Sequence, residues 1–417
     1  MKYKSTELAA WSGAEWKNSA GEFFAGGVNH DTRTLNAGDV YVAIRGAVHD
    51  GHDFIPAAIE KGAAALITEK EFPADIPQLV VSDSLAALQR LAAGVRKTWK
   101  GTVIGITGSV GKTTVKEMIA AVLSQKGLVS KTPGNWNNDI GLPLSMLAAN
   151  RNSDFFVFEL GMNHAGEIAA LANILKPDWA ALTDIGKAHI EFFGSVEKIA
   201  EEKASLLRYA KNVVLDETSE WFSLFKKSAG GARILTFGDA PFPFHLSLPG
   251  AHIVRNARRA AALGEALGLT TAEIQRGFDS FTPGSMRWER SEKNGVVFIN
   301  DAYNANPLSM RAALTAFAEL PCAGKKYAVL GAMRELGNSS SAEHRELGTF
   351  VDELKFDGVI TVGDAGAKII CRSFAGLSHD ATADFLRERL TAGDMVFLKA
   401  SRGEKLEKIL ERLCFTG

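Results

Sequence analysis

Cysteine is scarce in this chain, with three in 417 residues (Cys322, Cys371 and Cys414) and no C-x-x-C pair. That excludes a disulfide framework and a cysteine zinc site, and it fits a reducing compartment. A surplus of charge is missing too, since 47 Lys and Arg face 48 Asp and Glu. Nucleic-acid binders carry a basic footprint, so no nucleic-acid partner is expected. No apolar run reaches bilayer-spanning length, and the start MKYKSTELAAWSG lacks the apolar core of a signal peptide. The expectation is a cytoplasmic protein without membrane insertion. Internal repeats and low-complexity linkers are absent, and the length calls for two or three domains.

What is present centres on TVIGITGSVGKTT, residues 102–114. The β-branched run Thr102, Val103, Ile104 and Ile106 reads as a buried strand. It breaks at Gly108-Ser109-Val110-Gly111, and Lys112-Thr113-Thr114 opens a helix whose Val115, Met118, Ile119, Val122 and Leu123 share one face. Strand, glycine loop and helix N-terminus make a phosphate cradle, because backbone N–H groups and the helix dipole both favour an anion. Lys112 would reach the outer phosphates and Thr113 would hold Mg²⁺. The spacing is shorter than the strict G-x-x-x-x-G-K-[ST], position 106 being Ile. An ordinary glycine turn is the plainer alternative; the flanking strand and helix favour the nucleotide reading.

The chain reads as an α/β protein of three domains. Residues 1–98 form a small α/β unit with strands at DVYVAI, AALIT and LVV. Residues 99–308 alternate strand and helix as a doubly wound, mostly parallel sheet, with strands at DFFVFEL, WAALTDI, NVVLD, RILTFG and finally GVVFINDAY. Residues 309–417 form a Rossmann-like α/β unit without a G-x-G-x-x-G motif.

Several residues sit where chemistry gathers. Glu159 ends the apolar strand DFFVFEL, at the carboxyl end where a phosphate-bound Mg²⁺ is met. His189 lies just past the strand WAALTDI. Lys203 falls inside the apolar arc Val196, Ile199, Leu206, Leu207 and Ala210 of its helix, opposite Glu197, Lys198, Glu201, Glu202 and Arg208. An inward lysine must be paired, neutralised or modified, or else snorkel. Asn135, Asn137 and Asn138 form an amide loop that suits a sugar, base or phosphate, and equally a turn. Asn256 caps a helix or reads an adenine edge, while Arg287 and Asp301 are candidate phosphate and ribose contacts. Asp31-Thr32-Arg33 punctuates the first unit as a ligand loop or as a turn.

Taken together, TGSVGKTTVKEM (107–118), GNWNNDIGLPLSML (134–147), FELGMNHAGEI (158–168), DIGKAHIEFFGSVEKIAEEKASLL (184–207), INDAYNANPLSM (299–310), LGAMRELG (330–337) and KASRGEKLEKI (399–409) resemble the Mur ligase family. These are the ATP-dependent amide-forming enzymes of peptidoglycan synthesis. The resemblance covers essentially the whole chain and is closest to the branch that joins D-alanyl-D-alanine to UDP-N-acetylmuramoyl-tripeptide. The Asp-Asn-Pro-Arg sequence of the branch adding diaminopimelate or lysine is absent. The resemblance implies that Gly108, Ser109, Val110, Gly111, Lys112, Thr113, Thr114, Asn256, Arg287 and Asp301 bind ATP. It implies Mg²⁺ at two sites, held by Thr113, Glu159, His189 and a carbamylated Lys203, with Lys112, His189, Lys203 and Arg287 as the catalytic set. Substrate contacts fall to Asp31, Thr32, Arg33, Asn135, Asn137, Asn138, Asn304, Asn306, Ser401 and Arg402. A monomer is expected. The rival readings are a sibling ligase adding another amino acid or a polyglutamate tail, and a non-catalytic nucleotide-binding module.

Overall fold

The strand Thr102–Thr107 lies inside a six-stranded, wholly parallel sheet because both of its faces are apolar. Val103 enters one core with Phe156 and Phe158 of the next strand, while Ile104 and Ile106 enter the other with Phe155 and Val157. In this computed structural model, which describes residues 3–18, 21–363, 365–370 and 374–414, the sheet order is Arg233–Phe237, Asn212–Asp216, Trp179–Leu182, Thr102–Thr107, Phe155–Glu159, Val129–Lys131. Helices Lys112–Leu123, Ala251–Ala266 and Thr271–Ser280 cover one face. Helices Ser84–Arg96, Gly141–Ala148, Glu167–Leu175 and Val196–Ala204 cover the other. The chain leaves the central strand for the edge, returns through Phe155–Glu159, and crosses to the far side at Trp179. That reversal opens a crevice at the carboxyl ends of the three middle strands.

The N-terminal unit carries a five-stranded mixed sheet, Trp16–Lys17, Gln78–Val80, Ala65–Thr68, Val40–Val42 and Val28–Asn29. Its core is continuous with the central one, a single apolar cluster running from Tyr3, Val40, Ile67 and Leu91 to Phe156, Leu171 and Leu206. Trp99 joins the two units, stacked on Phe156 with ring centroids 4.0 Å apart.

The third unit is larger than its expected range of 309–417. GVVFINDAY, expected as the last strand of the central unit, instead forms Val296–Asn300 and pairs in parallel with Met395–Lys399. The reason is a hairpin: Asn294 and Gly295, with φ of 52° and 74°, turn Glu289–Lys293 back onto Val296–Asn300. An Asn-Gly pair between strands is a strong hairpin signal, and it ties residues from 289 onward to the third sheet. The helix over 195–210 is also split, being α-helical at Val196–Ala204 and 3-10 at Ser205–Tyr209. Cys322 is a free thiol, and Cys371 lies outside the described residues. Among the described residues no helix is long and apolar enough to cross a membrane.

The shared cluster predicts that the first two units unfold together. Replacing Phe156 by Ala removes a fully buried ring and should cost about 3–5 kcal/mol. Denaturant unfolding followed by tryptophan fluorescence should show one early transition moved to lower denaturant. Separate transitions for the two units would contradict the shared core.

Candidate active site

The glycine loop is shaped by contacts that leave no room for side chains. Gly108 has φ of 154°, and a Cβ there would stand 1.8 Å from Thr183 Oγ1. Gly111, at φ 84°, would bring a Cβ to 2.9 Å from Asn256 Oδ1. The Ser109 and Val110 N–H groups donate to the Asp184 carbonyl at 2.8 and 3.1 Å. Ser109 Oγ donates to Gly186 O at 3.0 Å. The next N–H groups, of Gly111, Lys112, Thr113 and Thr114, have no acceptor among the described residues. They are the donors an anion would meet at a helix N-terminus.

Around this loop the charges are concentrated. Lys112 Nζ donates to Gly108 O at 2.8 Å, folded back over its own loop. Burial pushes its ammonium below the usual range, with Arg287 adding to the effect against the pull of Glu159 and Glu335. Thr113 Oγ1 donates to Glu159 Oε2 at 2.8 Å, and Asn137 Nδ2 donates to Glu159 Oε1 at 2.8 Å. From the third unit, Arg287 Nη2 donates to Thr113 Oγ1 at 3.0 Å while its guanidinium lies 4.0 Å over the Tyr303 ring. Lys203 is 1% exposed, and its Nζ makes no hydrogen bond or ion pair among the described residues. Burial first, then the Lys112 charge, drive its pKa far down, against Glu159 and Glu202.

One cavity of about 310 Å³ gathers Ser109 to Thr114, Asn135, Asn137, Asn138, Glu159, His189, Asn256, Arg287, Asp301, Asn304 and Asn306. A smaller one of about 150 Å³ is lined by Asn304, Asn306, Ser401 and Arg402, with Arg334 and Glu335. Asp31, Thr32 and Arg33 line neither; Arg33 is bound to Asp31 at 2.6 Å in its own loop. Asn256 does not begin its helix: it lies within Ala251–Ala266, whose cap is Gly250, and faces the glycine loop. Asn306 caps the helix Pro307–Glu319, and Asn138 accepts from the Gly141 N–H in a turn. Asp301 is paired with Lys399 at 2.5 Å and accepts from the Trp288 N–H at 3.1 Å.

Glu335, Lys399 and His252, which the sequence reading did not single out, complete the walls. His189 Nδ1 stands 2.7 Å from Glu335 Oε2 across the boundary between units. Both residues have left-handed backbones, at φ 61° and 63°. Lys399 and His252 also line the larger cavity, and burial holds His252 below its usual range. Glu335 lies in LGAMRELG and Lys399 in KASRGEKLEKI, so motif membership was the available signal.

Thr113 and Glu159 offer hard oxygens, and no group of three or more His, Cys, Asp or Glu side chains converges among the described residues. That makes a poor closed cage. It fits an ion that keeps water and phosphate ligands, as Mg²⁺ does.

Three family models match the chain: "Mur ligase family, catalytic domain" over residues 25–96, "Mur ligase middle domain" over 106–242, and "Mur ligase, glutamate ligase domain" over 286–402. The UDP-N-acetylmuramoyl-tripeptide--D-alanyl-D-alanine ligase of Bacillus subtilis is 35% identical, with 93% of each chain covered. The chain belongs to the Mur ligase family. The Escherichia coli ligase of the same name is 33% identical, with 94% of each chain covered. Among solved Mur ligases, a crystal structure of MurF from Acinetobacter baumannii matches with a TM-score of 0.92 at 28% identity, covering 99% of both chains. MurF from Thermotoga maritima in complex with ADP matches with a TM-score of 0.83 at 31% identity, covering 93% of this chain and 96% of that one. The expected α/β, three-unit architecture is therefore that of the Mur ligases.

The loop geometry yields a prediction. Gly108→Ala forces a Cβ into Thr183 and a strained backbone costing about 1–3 kcal/mol. Calorimetry should show nucleotide binding weakened at least tenfold, with the circular dichroism spectrum unchanged. Unaltered affinity would contradict the role given to the loop.

Proposed function

We propose that this chain is the ATP-dependent ligase that joins D-alanyl-D-alanine to UDP-N-acetylmuramoyl-tripeptide, giving the pentapeptide precursor with ADP and phosphate. The Bacillus subtilis and Escherichia coli relatives carry that activity in their names, and the Thermotoga maritima MurF structure holds ADP. The observation that carries the catalytic reading is Lys203, buried without a partner beside the charges of Lys112 and Glu159. A passive nucleotide binder has no use for such a lysine.

The tripeptide carboxylate attacks the γ-phosphorus of ATP, forming an acyl phosphate and releasing ADP. The amine of the dipeptide then attacks the acyl carbonyl, phosphate leaves with the C–O bond electrons, and the amine proton passes to solvent. The N–H groups of Gly111 to Thr114 hold phosphate oxygens, and Lys112 swings from Gly108 O onto the outer phosphates. Arg287 brings a second cation from the third unit. Thr113 and Glu159 would hold one Mg²⁺, and His189 with a carbamylated Lys203 a second. When bound, the ions neutralise the phosphate charge that develops during transfer. Lys203 suits carbamylation because burial and the Lys112 charge favour its neutral amine, the form that adds CO₂ with loss of one proton. The first unit, with Asp31, Thr32 and Arg33, takes the UDP-sugar. Asn304, Asn306, Ser401 and Arg402 take the dipeptide in the smaller cavity. The meeting of the central and third units keeps water from the acyl phosphate. The protein acts as a cytoplasmic monomer.

ADP release should require Mg-ATP, the UDP-muramoyl-tripeptide and D-alanyl-D-alanine together, with a pentapeptide product by mass. Release with a single amino acid in place of the dipeptide would move the assignment to a sibling ligase. No release under any combination would favour a non-catalytic module. With ¹³C-bicarbonate, the enzyme should show one carbamate carbon signal by NMR that is missing from Lys203→Met. A signal that persists in that variant would overturn the assignment of the carbamate to Lys203.

A further inference from the structure

Behind the glycine loop lies a buried guanidinium that the reaction as described leaves without a task. Arg259, in the helix Ala251–Ala266, is 2% exposed. Its Nε donates to Leu182 O at 2.9 Å, at the end of the strand Trp179–Leu182. Its Nη2 donates to Asp184 Oδ1 at 2.6 Å and lies 3.6 Å from Asp216 Oδ2. Its Nη1 donates to Asn256 Oδ1 at 3.3 Å. Arg255, one turn earlier, reaches Asp184 Oδ2 at 3.2 Å and Asp216 Oδ2 at 3.6 Å. Two arginines thus balance two aspartates at the carboxyl edge of the central sheet.

Two of these partners hold the nucleotide site directly. Asp184 supplies the carbonyl that accepts the Ser109 and Val110 N–H groups, so fixing its carboxylate fixes the first half of the glycine loop. Asn256 packs against Gly111, and the contact from Arg259 decides which end of its carboxamide turns away from the cavity. Because Oδ1 is held by the guanidinium, the NH₂ group is the end left to meet a ligand.

We propose that Arg259 is a positioning residue of the ATP site. It acts through Asp184 on the phosphate loop and through Asn256 on the nucleotide-facing amide, and it touches no substrate itself. The planar fork is what the task needs, since one side chain must address Leu182, Asp184 and Asn256 in fixed directions. A lysine keeps the charge and loses the geometry. This assignment rests on the nucleotide reading of the glycine loop.

The test compares Arg259→Lys with Asp216→Asn in the full chain. Asp216 is equally part of the buried network but makes no contact with the loop, so its substitution reports the cost of disturbing the network alone. Both variants should lower the melting temperature. Only Arg259→Lys should weaken ADP binding by calorimetry, by roughly tenfold for the loss of a charged hydrogen bond. In turnover the same variant should raise KM for ATP and leave KM for both peptide substrates unchanged. Equal ADP affinity in the two variants would overturn the proposal and leave the ligase reading intact. Failure of the unsubstituted chain to bind ADP would overturn both.

Discussion

The site depends on the hydrogen bond from Thr113 to Glu159, which ties the start of a helix to the end of the neighbouring strand. Glu159 is 2% exposed, and both carboxylate oxygens accept from neutral donors, Thr113 and Asn137. Its charge is therefore not paired directly with either Lys112 or Lys203, although both lie within its field. Keeping a buried carboxylate and a buried lysine beside the Lys112 ammonium is costly unless ions arrive to balance them. The free N–H groups of Gly111 to Thr114 press in the same direction. The enclosure is thus poised for an anion at the helix N-terminus beside Glu159.

That arrangement is available only because of the strand order. A parallel sheet that reverses direction beside its first strand leaves a gap between the crossover helices, and ligands enter there. The same reversal sets Asp184, Gly186 and His189 past the end of Trp179–Leu182, where they brace the loop or face the third unit. Packing from below is supplied by the N-terminal unit, whose core runs unbroken into the sheet. The rigidity of the phosphate loop is in this sense shared by two units.

Much of this was legible in the residues themselves. The alternation of apolar side chains in strand and helix located the glycine loop, and the helical arc placed Lys203 indoors, as its 1% exposure bears out. Less legible was anything decided by contacts distant in sequence. GVVFINDAY reads as a strand wherever it lies; which sheet it joins depends on the edge offered by Met395–Lys399. The Asn294-Gly295 turn did carry local information, since it ties the strand to its hairpin partner. Arg259 illustrates the opposite limit. In RNARRA three arginines look alike, and only tertiary packing separates buried Arg259 from half-exposed Arg255. Glu335 is similar, since its meaning comes from His189 on another unit.

The pair His189 and Glu335 also marks where the central and third units meet. His189 lines the larger cavity and Glu335 the smaller, so the contact between them lies where the two cavities adjoin. Both residues hold a left-handed backbone that bulky L side chains seldom adopt. Such strain persists only where surrounding structure over-determines it. Here Glu191 N–H donates to Glu335 O at 3.3 Å, and Gly337 lies against the Glu191 side chain, pinning the two loops together. A site whose walls come from two units needs a fixed contact where those units meet. A strained contact held from both units supplies that fixity where a flexible loop on one unit would not.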